Sequence, residues 1–144
     1  MKILFDWTLS RNIIAESGFA ASAGLLFLRV WVGLMMAFGH GWGKLIGFGD
    51  RSGQFADPLG VGSAFSLGLT VFAEFFCALA LVLGLLTRGA AIPLIITMLV
   101  AGLVIHGDDP WGKKELALLY LAPFLTILLT GPGKYSLDRL ITRK

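Results

Sequence analysis

Apolar residues dominate the chain in four runs separated by short polar breaks, and the runs are long enough to read as membrane spans rather than as faces of a soluble core. The first runs approximately from Ala23 to Ile46, the second from Ser63 to Leu86, the third from Ala90 to His106 and the fourth from Glu115 to Thr130. Between the second and third, Thr87-Arg88-Gly89 is so short that these two must be antiparallel neighbours. Phe48–Gly62 and Gly107–Lys114 carry the Gly, Asp and Pro residues of irregular loops. The pattern predicts an all-α integral membrane four-helix bundle with Pro93 in the first turn of the third helix and Pro123 inside the fourth, where the Leu119 carbonyl loses its donor.

The polar interruptions within these runs are what need explaining. Arg29, Gly33, Met36, His40 and Lys44 recur at helical spacing, which places them on one face of the first span. Glu74 lies near the middle of the second. An ionisable group at the centre of a membrane helix costs roughly 2.5–3.5 kcal/mol on insertion scales, so each should face partner helices or a wet cavity. The small residues Ala73, Cys77, Ala80 and Gly84 form a stripe beside Glu74 that suits close helix packing.

Composition agrees with this reading. Of the 144 residues 56% are hydrophobic and 15% charged, against about 25% charged in a soluble domain. One cysteine, Cys77, excludes an internal disulfide, a Cys-x-x-Cys redox pair and an all-cysteine iron–sulfur site, so redox chemistry needs a bound cofactor or partner. Residues 1–18 lack the pattern of a cleaved signal peptide. They read as a cytoplasmic or interfacial segment, either a short helix with Ile3, Trp7 and Ile14 on one face or a frayed tail. Residues 19–133 form the four-helix domain and 134–144 a basic tail. Lys2, Arg11, Arg88, Lys134, Arg139, Arg143 and Lys144 gather on one side of the membrane, whereas Arg51, Lys113 and Lys114 on the other are diluted by Asp50, Asp57, Asp108 and Asp109. Both termini are therefore expected on the cytoplasmic face of a bacterial inner membrane. His40, Lys44, His106 and Glu115 then converge on the outer leaflet.

The chain also resembles the DoxX family of small four-helix bacterial membrane proteins. The resemblance lies in Leu28-Arg29, Gly39-His40-Gly41 with Lys44-Leu45, Ala73-Glu74, Gly84-Leu-Leu-Thr-Arg88 and Gly131-Pro-Gly-Lys-Tyr-Ser-Leu-Asp138. It implies a link to electron transfer from sulfur compounds or hydroquinones into the quinone pool, as in thiosulfate:quinone oxidoreductase subunits, and to oxidoreductase complexes that handle oxidative stress.

On this footing the expected role is that of a membrane component of a quinone-linked oxidoreductase. Arg29 and Glu74 either fix helix register as a buried ion pair or relay a proton. His40, Lys44 and His106 are candidates to hold a quinone head group, with His40 and His106 exchanging protons or simply closing helix ends. Trp42, Phe38 and Trp111 either offer aromatic faces to the ring or form the ordinary interfacial belt. Lys113, Lys114 and Glu115 are candidate substrate contacts, the lysines for an anion such as thiosulfate or for lipid phosphate. His40, His106 and Glu115 supply a conceivable zinc or copper set and the two histidines a haem pair, but no local motif supports a metal or haem. Expected partners are the lipid bilayer, a quinone, a redox subunit or soluble donor, and further copies of the chain; nothing points to nucleic acid. The other classes of function are a non-catalytic anchor or assembly scaffold and a small-solute or proton transporter.

Overall fold

In a computed structural model, which describes residues 7–142 with side chains from Gly18 onward, every regular element among the described residues is a helix. The first rod comprises α1 (Trp7–Met36), a π-helical turn (Ala37–Gly41) and α2 (Trp42–Ile46). A short helix α3 (Phe48–Arg51) and a loop lead to the second rod, made of α4 (Ser63–Val71), a π-helical stretch (Phe72–Cys77) and α5 (Ala78–Leu83). The third rod is α6 (Thr87–Leu99) followed by a third π-helical stretch (Val100–Ile105), and the fourth is α7 (Trp111–Thr130). A last helix, α8 (Leu137–Thr142), follows the Gly-Pro-Gly turn.

Three of these rods, Gly18–Ile46, Ser63–Leu83 and Thr87–Ile105, are long and apolar enough to cross a membrane. The fourth has 20 residues but carries Lys113, Lys114 and Glu115 in its opening turns, which shortens its apolar length. Rods one and two, two and three, three and four, and four and one pack side by side, closing a four-helix bundle.

Its centre is small and aliphatic. Met36, Ala37, Ala78, Leu81, Ala91, Leu94, Phe124 and Ile127 are buried, whereas Phe27, Trp31, Phe65, Phe76 and Leu129 project outward with no covering element. Such a surface is stable facing lipid and a liability facing water. Glycine sets how closely the first two rods approach. A Cβ at Gly33 would lie 2.8 Å from the Ala78 carbonyl oxygen, and one at Gly41 would lie 2.6 Å from that of Glu74. Any larger residue would push the rods apart.

Several boundaries differ from the sequence expectation. The third rod begins at Thr87 rather than Ala90, because the Asp138 carboxylate reaches across from α8 and accepts the N–H groups of Leu86 and Thr87 at 2.7 and 2.9 Å. That cap extends the helix, and Pro93 falls in its second turn. The fourth rod begins directly after Pro110 and continues through Pro123 without a break. The start of the basic tail is tied into the bundle, with the Pro132 and Tyr135 carbonyls accepting from Arg29 and the Asp138 carboxylate accepting from Leu86 and Thr87. At the other end the helix is continuous from Trp7, so a separate interfacial helix is replaced by an extension of the first rod. The proposed Ile3/Trp7/Ile14 face and the charges of Lys2, Arg11, Arg143 and Lys144 lie outside the described side chains.

Candidate functional site

Two of the three π-helical stretches stand toward the same end of the bundle, in rods one and three, and the other interrupts the middle of rod two. Each closes with a backbone N–H donating to the carbonyl five residues back: Trp42 to Ala37, Ala78 to Ala73, and His106 to Ala101. The extra residue per turn widens the rod and re-aims the side chains beside it, and such insertions gather at functional sites. Here they carry or directly precede His40, Glu74 and His106.

Lys44, one turn beyond His40, donates to Glu74 Oε2 at 2.5 Å and to the His40 carbonyl at 3.4 Å. The Glu74 side chain is only 7% exposed and that of Lys44 20%. Gly41 makes this reach possible by admitting the Glu74 backbone against the first rod. The His40 ring meets Tyr120 edge-to-face at 5.4 Å, and Tyr120 stacks on Phe124. From the third rod, His106 Nδ1 lies 2.8 Å from Asp109 Oδ2, with Lys113 Nζ 3.8 Å from the other carboxylate oxygen.

These groups border a cavity of about 370 Å³ lined by His40, Lys44, Glu74, His106, Lys113 and Tyr120 and by the apolar side chains of Met36, Phe55, Leu59, Leu69, Ile96 and Val100. The Phe55–Leu59 loop forms one wall and is latched in place by Asp57, whose carboxylate accepts the Ser66 hydroxyl at 2.7 Å and the N–H groups of Gly62 and Val61. These bonds, the Ser66 hydroxyl foremost, hold the Asp57 carboxyl below the usual carboxylate range. The His106 hydrogen bond, helped by the Lys113 charge, does the same for Asp109.

Five of the sequence candidates thus line one cavity: His40, Lys44, Glu74, His106 and Lys113. Arg29 does not join them. Its guanidinium is 2% exposed at the opposite end, donating to the Pro132 and Tyr135 carbonyls and resting against Gly84. The ten residues from Glu74 to Gly84 rise about 15 Å along the helix, so the expected Arg29–Glu74 pair does not form, and Lys44 takes Arg29's place beside the carboxylate. Trp42 is turned outward against Phe75, 5.7 Å between ring centroids, and Trp111 is exposed; neither lines the cavity. Lys113 does line it, but Lys114 is spent on the Gly107 carbonyl at 2.6 Å, and Glu115 is exposed outside it. Accordingly His40, His106 and Glu115 do not gather as ligands, and no cluster of three metal-binding side chains exists among the described residues.

Sequence reasoning missed Tyr120, Asp57 and Asp109. Tyr120 was within reach of it: seven residues after Lys113, it occupies the same face of α7.

Residues 24–107, which include Arg29, His40, Lys44, Glu74 and His106, match the DoxX family. The chain belongs to the DoxX family. It is 32% identical over 125 residues to the inner membrane protein YqjF of Escherichia coli, covering 84% of this chain and 94% of that one. An uncharacterized membrane protein of Mycobacterium tuberculosis is 32% identical over 119 residues, 67% of this chain and 73% of its own. An uncharacterized protein of Haemophilus influenzae is 28% identical over 138 residues, 88% of each chain. No solved structure matches. The DoxX match stops short of Asp109, Lys113 and Tyr120, so one wall of the cavity in this DoxX protein comes from residues beyond the matched range.

Proposed function

We propose that the protein is a quinone-binding component of a membrane oxidoreductase, with the cavity beside the Lys44–Glu74 pair as its head-group site. The observation that carries this is a largely buried ion pair facing a cavity whose walls are mostly apolar. A pocket of about 370 Å³ is at the small end of the range for small-molecule sites and suits a single substituted ring. A few convergent polar groups in apolar walls are what such a ring, with two oxygens on opposite edges, requires. Lys44 would hold one oxygen, and Tyr120 and His40 would border the ring's flat face.

A bound quinone would supply two-electron, two-proton redox chemistry. The chain's own part is to hold the ring out of water, to present the Lys44 ammonium to an oxygen, and to keep protonatable groups at the mouth. With Cys77 buried and the only cysteine, the electrons come from a partner subunit or a soluble donor, a sulfur compound or another hydroquinone. The lysine and arginine distribution supports a topology with both termini cytoplasmic and the cavity toward the outer leaflet, and the name of the E. coli relative supports the inner membrane.

Extraction and mass spectrometry of the detergent-purified protein tests the proposal. Quinone stoichiometric with the chain is expected, together with its loss from a folded His40→Ala, His106→Ala double variant. No quinone in the native protein, with the variant still supporting any partner's activity, would move the assignment to a membrane anchor for a complex.

A further inference from the structure

His106 and Asp109 form a carboxylate–imidazole dyad in a turn built to hold it. The His106 N–H donates to Ala101 at 3.0 Å, the Asp109 N–H returns to the His106 carbonyl at 3.2 Å, and Lys114 pins the Gly107 carbonyl between them. Both side chains are therefore fixed from the backbone outward. Asp109 Oδ2 stands 2.8 Å from Nδ1 of the ring, and Lys113 lies near Oδ1. An ionised carboxylate can only accept, so the proton of the neutral ring must sit on Nδ1, which leaves Nε2 with its lone pair. The histidine lines the cavity, whereas Asp109 stands behind it and is not part of the lining. Across the cavity, Lys44 has only protons to give.

Each side pairs a cation with an anion, Lys44 with Glu74 and Lys113 with Asp109, but Glu74 is already held by Lys44 at 2.5 Å, and the imidazole Nε2 is the neutral base that the His106 side adds. We infer that the His106–Asp109 dyad is the proton-accepting end of the cavity and selects the hydroxyl-bearing form of the ligand, a dihydroxyaromatic ring, over the dicarbonyl form. The inference rests on the quinone reading above and adds to it which redox form is bound and where its proton goes. In the step, the O–H bond of one ring hydroxyl breaks heterolytically, its proton forms a new N–H bond at Nε2, and the electron pair stays on oxygen. The products are a ring monoanion, held by Lys44, and an imidazolium whose charge Asp109 offsets. No electron leaves the ring in this step, and none is needed to balance it. Asp109 is thus a positioning residue acting through His106.

The test uses the purified full-length protein in lipid nanodiscs with ¹⁵N-labelled histidine, and tetramethylhydroquinone as the probe. The ring nitrogen shifts report the tautomer with no ligand or activity involved. Native His106 is expected in the Nδ1–H form. In Asp109→Asn that preference should fall about tenfold, the equivalent of one charge-assisted hydrogen bond, and Asp109→Glu should restore part of it. Hydroquinone affinity should weaken in Asp109→Asn by a similar factor while affinity for the corresponding quinone stays put. A native Nε2–H ring, or an unchanged tautomer in Asp109→Asn, overturns the dyad. A shifted tautomer with hydroquinone bound equally by native and variant overturns its role toward the ligand. A native protein that has the expected tautomer but binds neither redox form overturns the quinone reading and with it the selection of the hydroxyl form.

Discussion

Each end of the bundle draws in a cation from the first rod, fully buried Arg29 at one and partly buried Lys44 at the other, and the contrast between them locates the chemistry. At one end Arg29 is enclosed: its guanidinium donates to the Pro132 and Tyr135 carbonyls, stands against Gly84, and has Asp138 nearby as counter-charge. The planar fork matches fixed backbone oxygens, and Arg29 itself lines neither of the open pockets at that end. At the other end Lys44, a flexible point charge, meets the Glu74 carboxylate beside a cavity. One cation ties the chain's C-terminal segment to its core; the other borders an open space. A buried charge in a membrane bundle is thus informative only together with what surrounds it.

The largest effect separating the ends is expected at Arg29. Arg29→Ala removes two charge-assisted hydrogen bonds and a fully buried side chain, and should cost about 3–5 kcal/mol in reversible unfolding, with the C-terminal segment released to protease before the rest. At the other end Lys44→Met should cost less, about 2–3 kcal/mol, because the abandoned carboxylate still meets the cavity. The double variant Lys44→Met, Glu74→Leu should recover most of that stability, yet bind no quinone. Recovery of both would mean that the pair is structural, like Arg29.

Gly41→Ala places a Cβ 2.6 Å from the Glu74 carbonyl oxygen and should destabilise by about 1–3 kcal/mol. Its sharper consequence is displacement of Glu74 from Lys44, read as a loss of bound quinone out of proportion to the stability change. The smallest effect concerns acid. At Asp138 burial raises the carboxyl pKa, but the N–H groups of Thr87 and Leu86 and the Arg29 charge outweigh it, leaving the group below its usual value. Asp57 is lowered as well. A carboxyl depressed in the folded state contributes stability that is fully present above its unfolded pKa of about 4 and lost as the pH falls further. Hydrogen exchange at the Leu86 and Thr87 amides, and at Val61 and Gly62, should therefore quicken below about pH 4 with the bundle core still protected.

Much of the architecture was legible from spacing alone. The apolar runs marked the rods to within a few residues except at the start of the first, which extends back to Trp7, and the Arg29-to-Lys44 stripe brought His40 and Lys44 onto the face that borders the cavity. What spacing does not carry is any partner drawn from the backbone. Arg29 was matched to Glu74 because both are charged, whereas its actual acceptors are carbonyls of the Gly131–Ser136 turn, invisible to charge pairing. The early start of α6 had the same origin, a cap supplied by Asp138 from 51 residues away. The π-helical turns leave no mark in a 3.6-residue pattern, yet they carry or lead into His40, Glu74 and His106 at the site.

The most direct measurement is photolabelling with an azido-quinone in nanodiscs, followed by peptide mapping of the adducts. Labels on Met36, Met98 and Tyr120, around the Lys44–Glu74 pair, and their loss in Glu74→Gln, are the expected result. Labels concentrated instead on Leu25, Pro132 and Tyr135 beside Arg29, unchanged in that variant, would contradict the account.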